Sequence, residues 1–202
     1  MNVAVLASGE GTNLQALLDQ VHGREGVRIV AVASDKSEAR ALERARRAGV
    51  PVRAFPAAEY DGRAERDRAM ADWLVACGVE LVVLAGYMQL LAGEFLARFP
   101  DRVINVHPAL LPAFPGLEAV EQAIAYGVKV FGVTVHFVDD GVDTGPVILQ
   151  RAVELPDARD AETVLDRLHP IEHELLPEAV RLIAQGAVRI DPANLRRVVI
   201  ER

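Results

Sequence analysis

Asn2-Val3-Ala4-Val5-Leu6-Ala7-Ser8-Gly9-Glu10-Gly11-Thr12-Asn13-Leu14-Gln15-Ala16-Leu17-Leu18-Asp19-Gln20-Val21 decides the fold class. Residues 2–7 are a short unbroken apolar run, the pattern of a strand buried on both faces. It breaks into a turn with two glycines. A helix then starts at Thr12 or Asn13, both good caps, and carries Leu14, Leu17, Leu18 and Val21 on one face. Strand, glycine turn and helix in this order are the unit from which open parallel sheets are built.

The unit repeats. Residues 27–33 predict a second strand ending at Ser34-Asp35, and residues 37–48 a charged helix that stops at Gly49. Residues 51–55 predict a short strand. Residues 62–77 predict an amphipathic helix around Met70, Trp73, Leu74 and Cys77, closed by Gly78. Residues 80–85, Glu80-Leu81-Val82-Val83-Leu84-Ala85, are the most apolar run and the predicted centre of the sheet. The expected class is α/β: an open, mostly parallel twisted sheet with helices on both faces, Rossmann-like.

The second half is more varied. A strand over 102–107 enters a proline-rich loop, and a short helix over 118–126 ends at Gly127. A β-branched strand over 130–138, a polar turn over 139–145 and a strand over 146–153 follow. A long helix over about 160–185 carries Val164, Leu168, Ile171, Leu175, Leu176, Val180 and Ile183, and a ragged proline-containing tail is expected after it. No repeat, linker or composition break marks a domain boundary.

With 202 residues, 51% of them hydrophobic, the chain can bury one full core. A formal charge of −7 argues against a broad basic nucleic-acid surface. One cysteine, Cys77, excludes an internal disulfide framework and a cysteine-rich metal site, and is expected as a small buried residue. No positively charged leader precedes the first apolar run, and no run is long enough to span a membrane. The expectation is a cytoplasmic protein without membrane or nucleic-acid partners.

Two groups of residues carry chemistry. Ser8 to Asn13 lie between the first strand and the first helix, where ligands of open α/β sheets bind. Two glycines admit close backbone approach, and a helix N-terminus favours phosphate. A dinucleotide fingerprint would need a third glycine where Leu14 stands, although Asp35 could supply its acidic residue. A single phosphate, a dinucleotide and a plain tight turn all remain open. The second group begins with Asn105 and His107, two apart on a strand and so on one face. Pro108 biases His107 toward an extended conformation. Three prolines and a glycine follow, in Pro108-Ala109-Leu110-Leu111-Pro112-Ala113-Phe114-Pro115-Gly116, and predict a stiff backing loop. Asp143, in the later polar turn, could pair with the imidazole. A carboxylate orients and charges a histidine, and an adjacent amide can donate to an oxyanion, which suits acyl transfer to an amine. Each residue alone also has a plain structural reading, and spacing does not pair Asp143 with His107.

Six segments together resemble the phosphoribosylglycinamide formyltransferase family, in its order and over essentially the whole chain. They are Ser8-Gly9-Glu10-Gly11-Thr12-Asn13, Leu84-Ala85-Gly86-Tyr87-Met88, Asn105-Val106-His107-Pro108-Ala109-Leu110-Leu111-Pro112, Pro115-Gly116, Gly132-Val133-Thr134-Val135-His136-Phe137-Val138 and Asp139-Asp140-Gly141-Val142-Asp143-Thr144-Gly145-Pro146. The resemblance implies one formyltransferase domain over 1–202. Residues 1–100 would be its phosphate- and nucleotide-binding half, 101–190 its catalytic and folate-binding half, and 191–202 a tail. It implies transfer of the formyl group of 10-formyltetrahydrofolate to the amine of glycinamide ribonucleotide, the third step of purine synthesis, without a metal.

Carried over by motif, the resemblance makes Asn105, His107 and Asp143 catalytic. It gives Gly11, Thr12, Asn13 and Glu172 to the nucleotide, and Arg63, Met88, Gln89, Leu90, Leu91, Asn105, Asp139, Asp140 and Asp143 to the folate. Gln89 departs from the family, which commonly has arginine there, associated with the glutamate tail of folate.

Four other functions share features with this chain. Methionyl-tRNA formyltransferase adds a C-terminal RNA-binding domain, which nothing after residue 190 could supply. Formyltetrahydrofolate deformylase adds an N-terminal domain and needs no ribonucleotide phosphate loop. A non-enzymatic nucleotide-binding module would not need Asn105, His107 and Asp143 together, and Leu14 weakens an NAD-dependent oxidoreductase. A monomer or homodimer acting on small molecules is expected.

Overall fold

A computed structural model describes residues 1–201. Its elements run β1 (Asn2–Leu6), α1 (Thr12–Gln20), β2 (Arg28–Ser34), α2 (Arg40–Arg47), β3 (Val52–Ala54), α3 (Arg63–Ala76), β4 (Leu81–Leu84), α4 (Gly93–Leu96), β5 (Val103–His107), α5 (Ala119–Tyr126), β6 (Val130–Phe137), β7 (Val147–Glu154), α6 (Ala161–Ala184), β8 (Val188–Asp191) and β9 (Asn194–Ile200). One turn of 3-10 helix, Ala57–Glu59, precedes α3. The strands form a seven-stranded sheet in the order β3-β2-β1-β4-β5-β6-β7 and a separate hairpin, β8-β9. The expected open, mostly parallel sheet is what forms, and β4 stands at its centre.

The chain makes two compact units, Met1–Asn105 and Val106–Arg202. In the first, β1 pairs in parallel with both β2 and β4, and β4 with β5. The chain steps outward from β1 to β3, then returns to the other side of β1 for β4. Right-handed crossovers put helices on opposite faces when the direction reverses this way. The reversal makes a switch point between β1 and β4, the position where open α/β sheets bind ligands. The loops after the two strands are tied together: Ser8 N–H donates to the Gly86 carbonyl at 3.0 Å. Met88 N–H donates to Ser8 Oγ at 2.9 Å. Leu6 pairs with Leu84, and Leu84 with Asn105, so the carboxyl ends of three adjacent strands lie in one row.

The core of this unit follows from the strand composition. Val3 to Leu6 and Leu81 to Leu84 are buried on both faces, as unbroken aliphatic runs require. α2 turns Ala41, Leu42 and Ala45 inward and keeps its arginines outside.

In the second unit β6 is buried from Phe131 to Phe137. β7 runs antiparallel to it at the edge of the sheet, with half of its residues exposed. α6 packs on both strands. Its Asp160 cap accepts the Thr163 N–H at 2.7 Å. The aliphatic stripe Val164, Leu168, Leu175, Leu176, Val180 and Ile183 is buried, and the helix continues through Pro170 and Pro177.

Three local expectations are corrected. The tail is ordered: Val188–Asp191 and Asn194–Ile200 pair as an antiparallel hairpin whose second strand packs on β7. The Ile190 and Val198–Ile200 apolar residues find a partner in each other that single-strand patterning did not reveal. The cap of α1 is Gly11, not Thr12 or Asn13; it is left-handed at φ 72°, and the helix begins at Thr12. Cys77 is only half-buried, at the end of α3. Among the described residues, no helix is long and apolar enough to cross a membrane.

Leu81 is fully buried and Leu195 is 71% exposed. Leu81→Ala is expected to lower unfolding stability by about 2–5 kcal/mol. Leu195→Ala should change it by less than about 0.5 kcal/mol, with denaturant midpoints as the measurement.

Candidate active site

The loop after β1 is set by Gly11. Besides its positive φ, a Cβ there would lie 2.7 Å from Ala41 Cα, so only glycine fits against α2. The Gly9 carbonyl accepts the Ala41 N–H at 3.0 Å. These contacts aim the amino end of α1 outward, with Thr12 exposed and Asn13 buried. The first N–H groups of a helix have no partner within it, which makes this end fit for an anion.

The loop after β4 carries Met88, Gln89, Leu90 and Leu91. Met88 and Leu90 are more than half exposed, an open apolar surface at the switch point. Gln89 is fixed by its side chain: its Nε2 donates to Asp35 Oδ2 at 3.1 Å, and its Oε1 accepts from Arg66 at 3.4 Å. Arg66 and Asp67 form a buried pair beneath it at 2.8 Å, and Asp67 also accepts the Ala92 N–H at 2.7 Å. A buried pair of this kind holds the loop in place and leaves no free charge. Arg63 lies exposed at the start of α3. Sequence reasoning missed the Arg66–Asp67 pair, because an arginine and an aspartate adjacent on a helix ordinarily point to solvent.

In the second unit the structure brings His107 and Asp143 together. His107 Nδ1 lies 3.4 Å from Asp143 Oδ2, and both groups are largely buried. The proline loop is their backing. His107 Nε2 is 2.8 Å from the Phe114 carbonyl, and Gly116 N–H donates to Asp143 Oδ2 at 2.8 Å. Phe114 and Asp143 both have positive φ, 53° and 51°. Such a conformation costs energy in residues other than glycine and persists only where surrounding contacts impose it. Here it delivers a carbonyl to one end of the imidazole and a carboxylate to the other. Asp139 shapes the turn: its Oδ1 accepts Gly141 N–H at 3.1 Å and the Thr144 hydroxyl at 2.6 Å. Asp140 is exposed. From the hairpin, Arg196 donates to the Thr144 carbonyl.

A third residue belongs to this cluster and was not singled out from the sequence. His136, 1% exposed, places Nε2 3.5 Å from Asp143 Oδ1. Its Nδ1 is 2.7 Å from the Phe137 carbonyl. A signal existed in the alternation of β6. Gly132, Thr134 and His136 share one face of an otherwise aliphatic strand. All three serve the loop and turn. A Cβ at Gly132 would be 2.4 Å from Leu110 Cδ2. The Thr134 hydroxyl donates to the Ala109 carbonyl at 2.7 Å and accepts Leu111 N–H at 3.1 Å. Gln150 of β7 donates to Thr134 Oγ1 and to the Leu111 carbonyl, each at 2.9 Å.

Asp143 feels opposing influences. Burial raises its pKa, but the His136 bond, the Gly116 N–H and the two imidazoles outweigh this and hold it below the ordinary aspartate value. The carboxylate is therefore ionised at neutral pH. Asn105 ends the first unit on β5, two residues before His107. Glu172 is buried on α6 at 6% exposure. Its neighbours His169 and His173 stack with centroids 6.3 Å apart, and burial, then the charge of His169, lowers the His173 pKa. Among the described residues no group of three or more His, Cys, Asp or Glu is placed to hold a metal ion.

Residues 1–180 match the model of a family described as formyl transferase. The chain is 46% identical over 188 residues to the phosphoribosylglycinamide formyltransferase of Mycobacterium tuberculosis strain H37Rv, covering 93% of this chain and 87% of that protein. It is 41% identical over 179 residues to the enzyme of the same name from Bacillus subtilis, covering 88% and 92%. The crystal structure of glycinamide ribonucleotide transformylase 1 from Symbiobacterium toebii superposes with a TM-score of 0.95 at 50% identity, covering 100% of this chain and 94% of that one.

A lowered aspartate pKa stabilises the folded state above the unfolded value, about 3.9, and that contribution is lost as pH falls through the folded value. Urea midpoints at stepped pH should therefore show wild type losing stability relative to Asp143→Asn as pH drops below about 4. A gap that does not change between pH ~6 and ~2 would contradict the ionised assignment.

Proposed function

Since the chain belongs to the formyl transferase family, we propose that it transfers the formyl group of 10-formyltetrahydrofolate to the primary amine of glycinamide ribonucleotide, a step of purine synthesis. The observation that carries the mechanism is a buried, ionised carboxylate, Asp143, held against His107. The relatives' names support the choice of substrates.

The substrate amine attacks the formyl carbon with its lone pair, and the carbonyl π pair moves onto oxygen. The Asn105 amide donates to that oxyanion. His107 has both ring nitrogens engaged, one by the Phe114 carbonyl and one by Asp143. It contributes as a positive charge near the oxyanion and not as its direct donor. Asp143, ionised, takes a proton from the attacking nitrogen through an intervening water and returns it to N10 of the folate. The carbon–N10 bond breaks with its electron pair going to N10, and the carbonyl re-forms. One formyl group has moved, one proton has been relayed, and no net charge is left behind. No serine or cysteine nucleophile is needed, because the substrate supplies one.

For the nucleotide, we assign the phosphate to Gly11, Thr12 and Asn13 at the amino end of α1, and a polar contact to Glu172. Met88 to Leu91 offer an apolar surface for the folate, with Arg63 and the 139–143 turn as its polar contacts. Gln89 is neutral and bound to Asp35 and Arg66, so it offers no cation to a polyglutamate tail. The protein would act in the cytoplasm as a monomer or homodimer on these two small molecules, without nucleic acid.

The test is a formyl-transfer assay with both substrates and a control lacking the amine. Formyl loss that needs no amine would make the protein a hydrolase and overturn the proposal. Asn105→Ala is expected to lower kcat about a hundredfold or more. Asp143→Asn should lower kcat severely with the nucleotide KM near wild type; wild-type turnover in that variant would remove Asp143 from the mechanism.

A further inference from the structure

We infer that His136 is a positioning residue which presents an Nε2 proton to Asp143 across the Nε2–Oδ1 contact, so that two imidazoles and not one hold the carboxylate; what that carboxylate does in catalysis rests on the proposed reaction.

The argument is a count of protons. His136 Nδ1 lies 2.7 Å from the Phe137 carbonyl oxygen. A carbonyl only accepts, so Nδ1 carries a hydrogen. In a neutral ring Nε2 would then present a lone pair to Asp143 Oδ1 at 3.5 Å, and the contact would be repulsive. A hydrogen on Nε2 makes it attractive. His107 repeats the arrangement with its nitrogens exchanged: Nε2 faces the Phe114 carbonyl and Nδ1 faces Oδ2. The two oxygens are not equivalent, because Oδ2 also accepts the Gly116 N–H at 2.8 Å. The His136 bond is the leading influence that lowers the Asp143 pKa. With Nδ1 donating to a carbonyl and Nε2 facing a carboxylate, the geometry calls for hydrogen on both ring nitrogens.

The surroundings contain few competing charges. Opposite His136 on β7 stands Val147. In the turn, Asp139 is engaged with Gly141 and Thr144, Asp140 is exposed, and Arg196 reaches the Thr144 carbonyl. α6, which packs on β6, carries Glu172 buried and His173 with a lowered pKa. His107 is the other group on the carboxylate. The two rings and the carboxylate therefore form one contiguous polar cluster.

The test begins with imidazole nitrogen chemical shifts of uniformly 15N-labelled protein at neutral pH, with the His136 signals assigned by their loss in His136→Asn. Both His136 nitrogens are expected protonated in wild type, and Asp143→Asn should return the ring to the neutral form with hydrogen on Nδ1. A neutral His136 in wild type, or an imidazolium unaffected by Asp143→Asn, would overturn the inference. This readout needs no turnover, so it stands apart from whether the proposed substrates are correct. In the formyl-transfer assay His136→Asn should lower kcat at least about tenfold with the nucleotide KM nearly unchanged, and wild-type kcat in the folded variant would also overturn it.

Discussion

A carboxylate kept ionised while largely buried is the constraint on which the second unit is built. Removing a charge from water is costly unless every part of it is met by a donor or an opposite charge. Asp143 meets this demand from three directions: His107 at the end of β5, His136 on β6 and the Gly116 N–H at the end of the proline loop. Each of these is itself held. The Phe114 carbonyl fixes His107, the Phe137 carbonyl fixes His136, and Thr134 and Gln150 fix the loop through residues 109–111. The positive φ of Phe114 and of Asp143 is maintained by this network. The proline loop, which carries no acid or base of its own, orients His107 and Asp143.

The first unit solves a different problem, that of presenting backbone donors and an open surface at one edge of a sheet. Parallel pairing aligns Leu6, Leu84 and Asn105, so the loops after β1 and β4 and the end of β5 emerge together. Reversal of strand order between β1 and β4 makes this the switch point of the sheet, and Ser8 ties the two loops across it. Gly11 is required twice over there, by its conformation and by Ala41, while the buried Arg66–Asp67 pair supports the other loop.

Most of the fold was legible because apolar periodicity is a local property. The five parallel strands of the first half, their order of burial and the stripe on α6 follow from short windows of sequence. The β8–β9 hairpin was not legible. Its strands carry polar residues on both sides, and only pairing makes them strands. The cap of α1 was misplaced by one or two residues, since Thr12 and Asn13 have the chemistry of caps but Gly11 has the backbone freedom that packing against Ala41 demands.

At the site, sequence alone determined which residues had suitable chemistry: a glycine turn before a helix, and an amide and an imidazole on one strand face before a stiff loop. Residue type and strand alternation are encoded locally, so no structure was needed for these. Pairing Asp143 with His107 by geometry, recruiting His136 and burying Arg66 against Asp67 were decided by tertiary structure. Those contacts depend on how β6 lies beside the loop and how the 139–145 turn folds back on itself. Distance in space between residues far apart in the chain is set by packing and the sheet, and no spacing in the sequence specifies it.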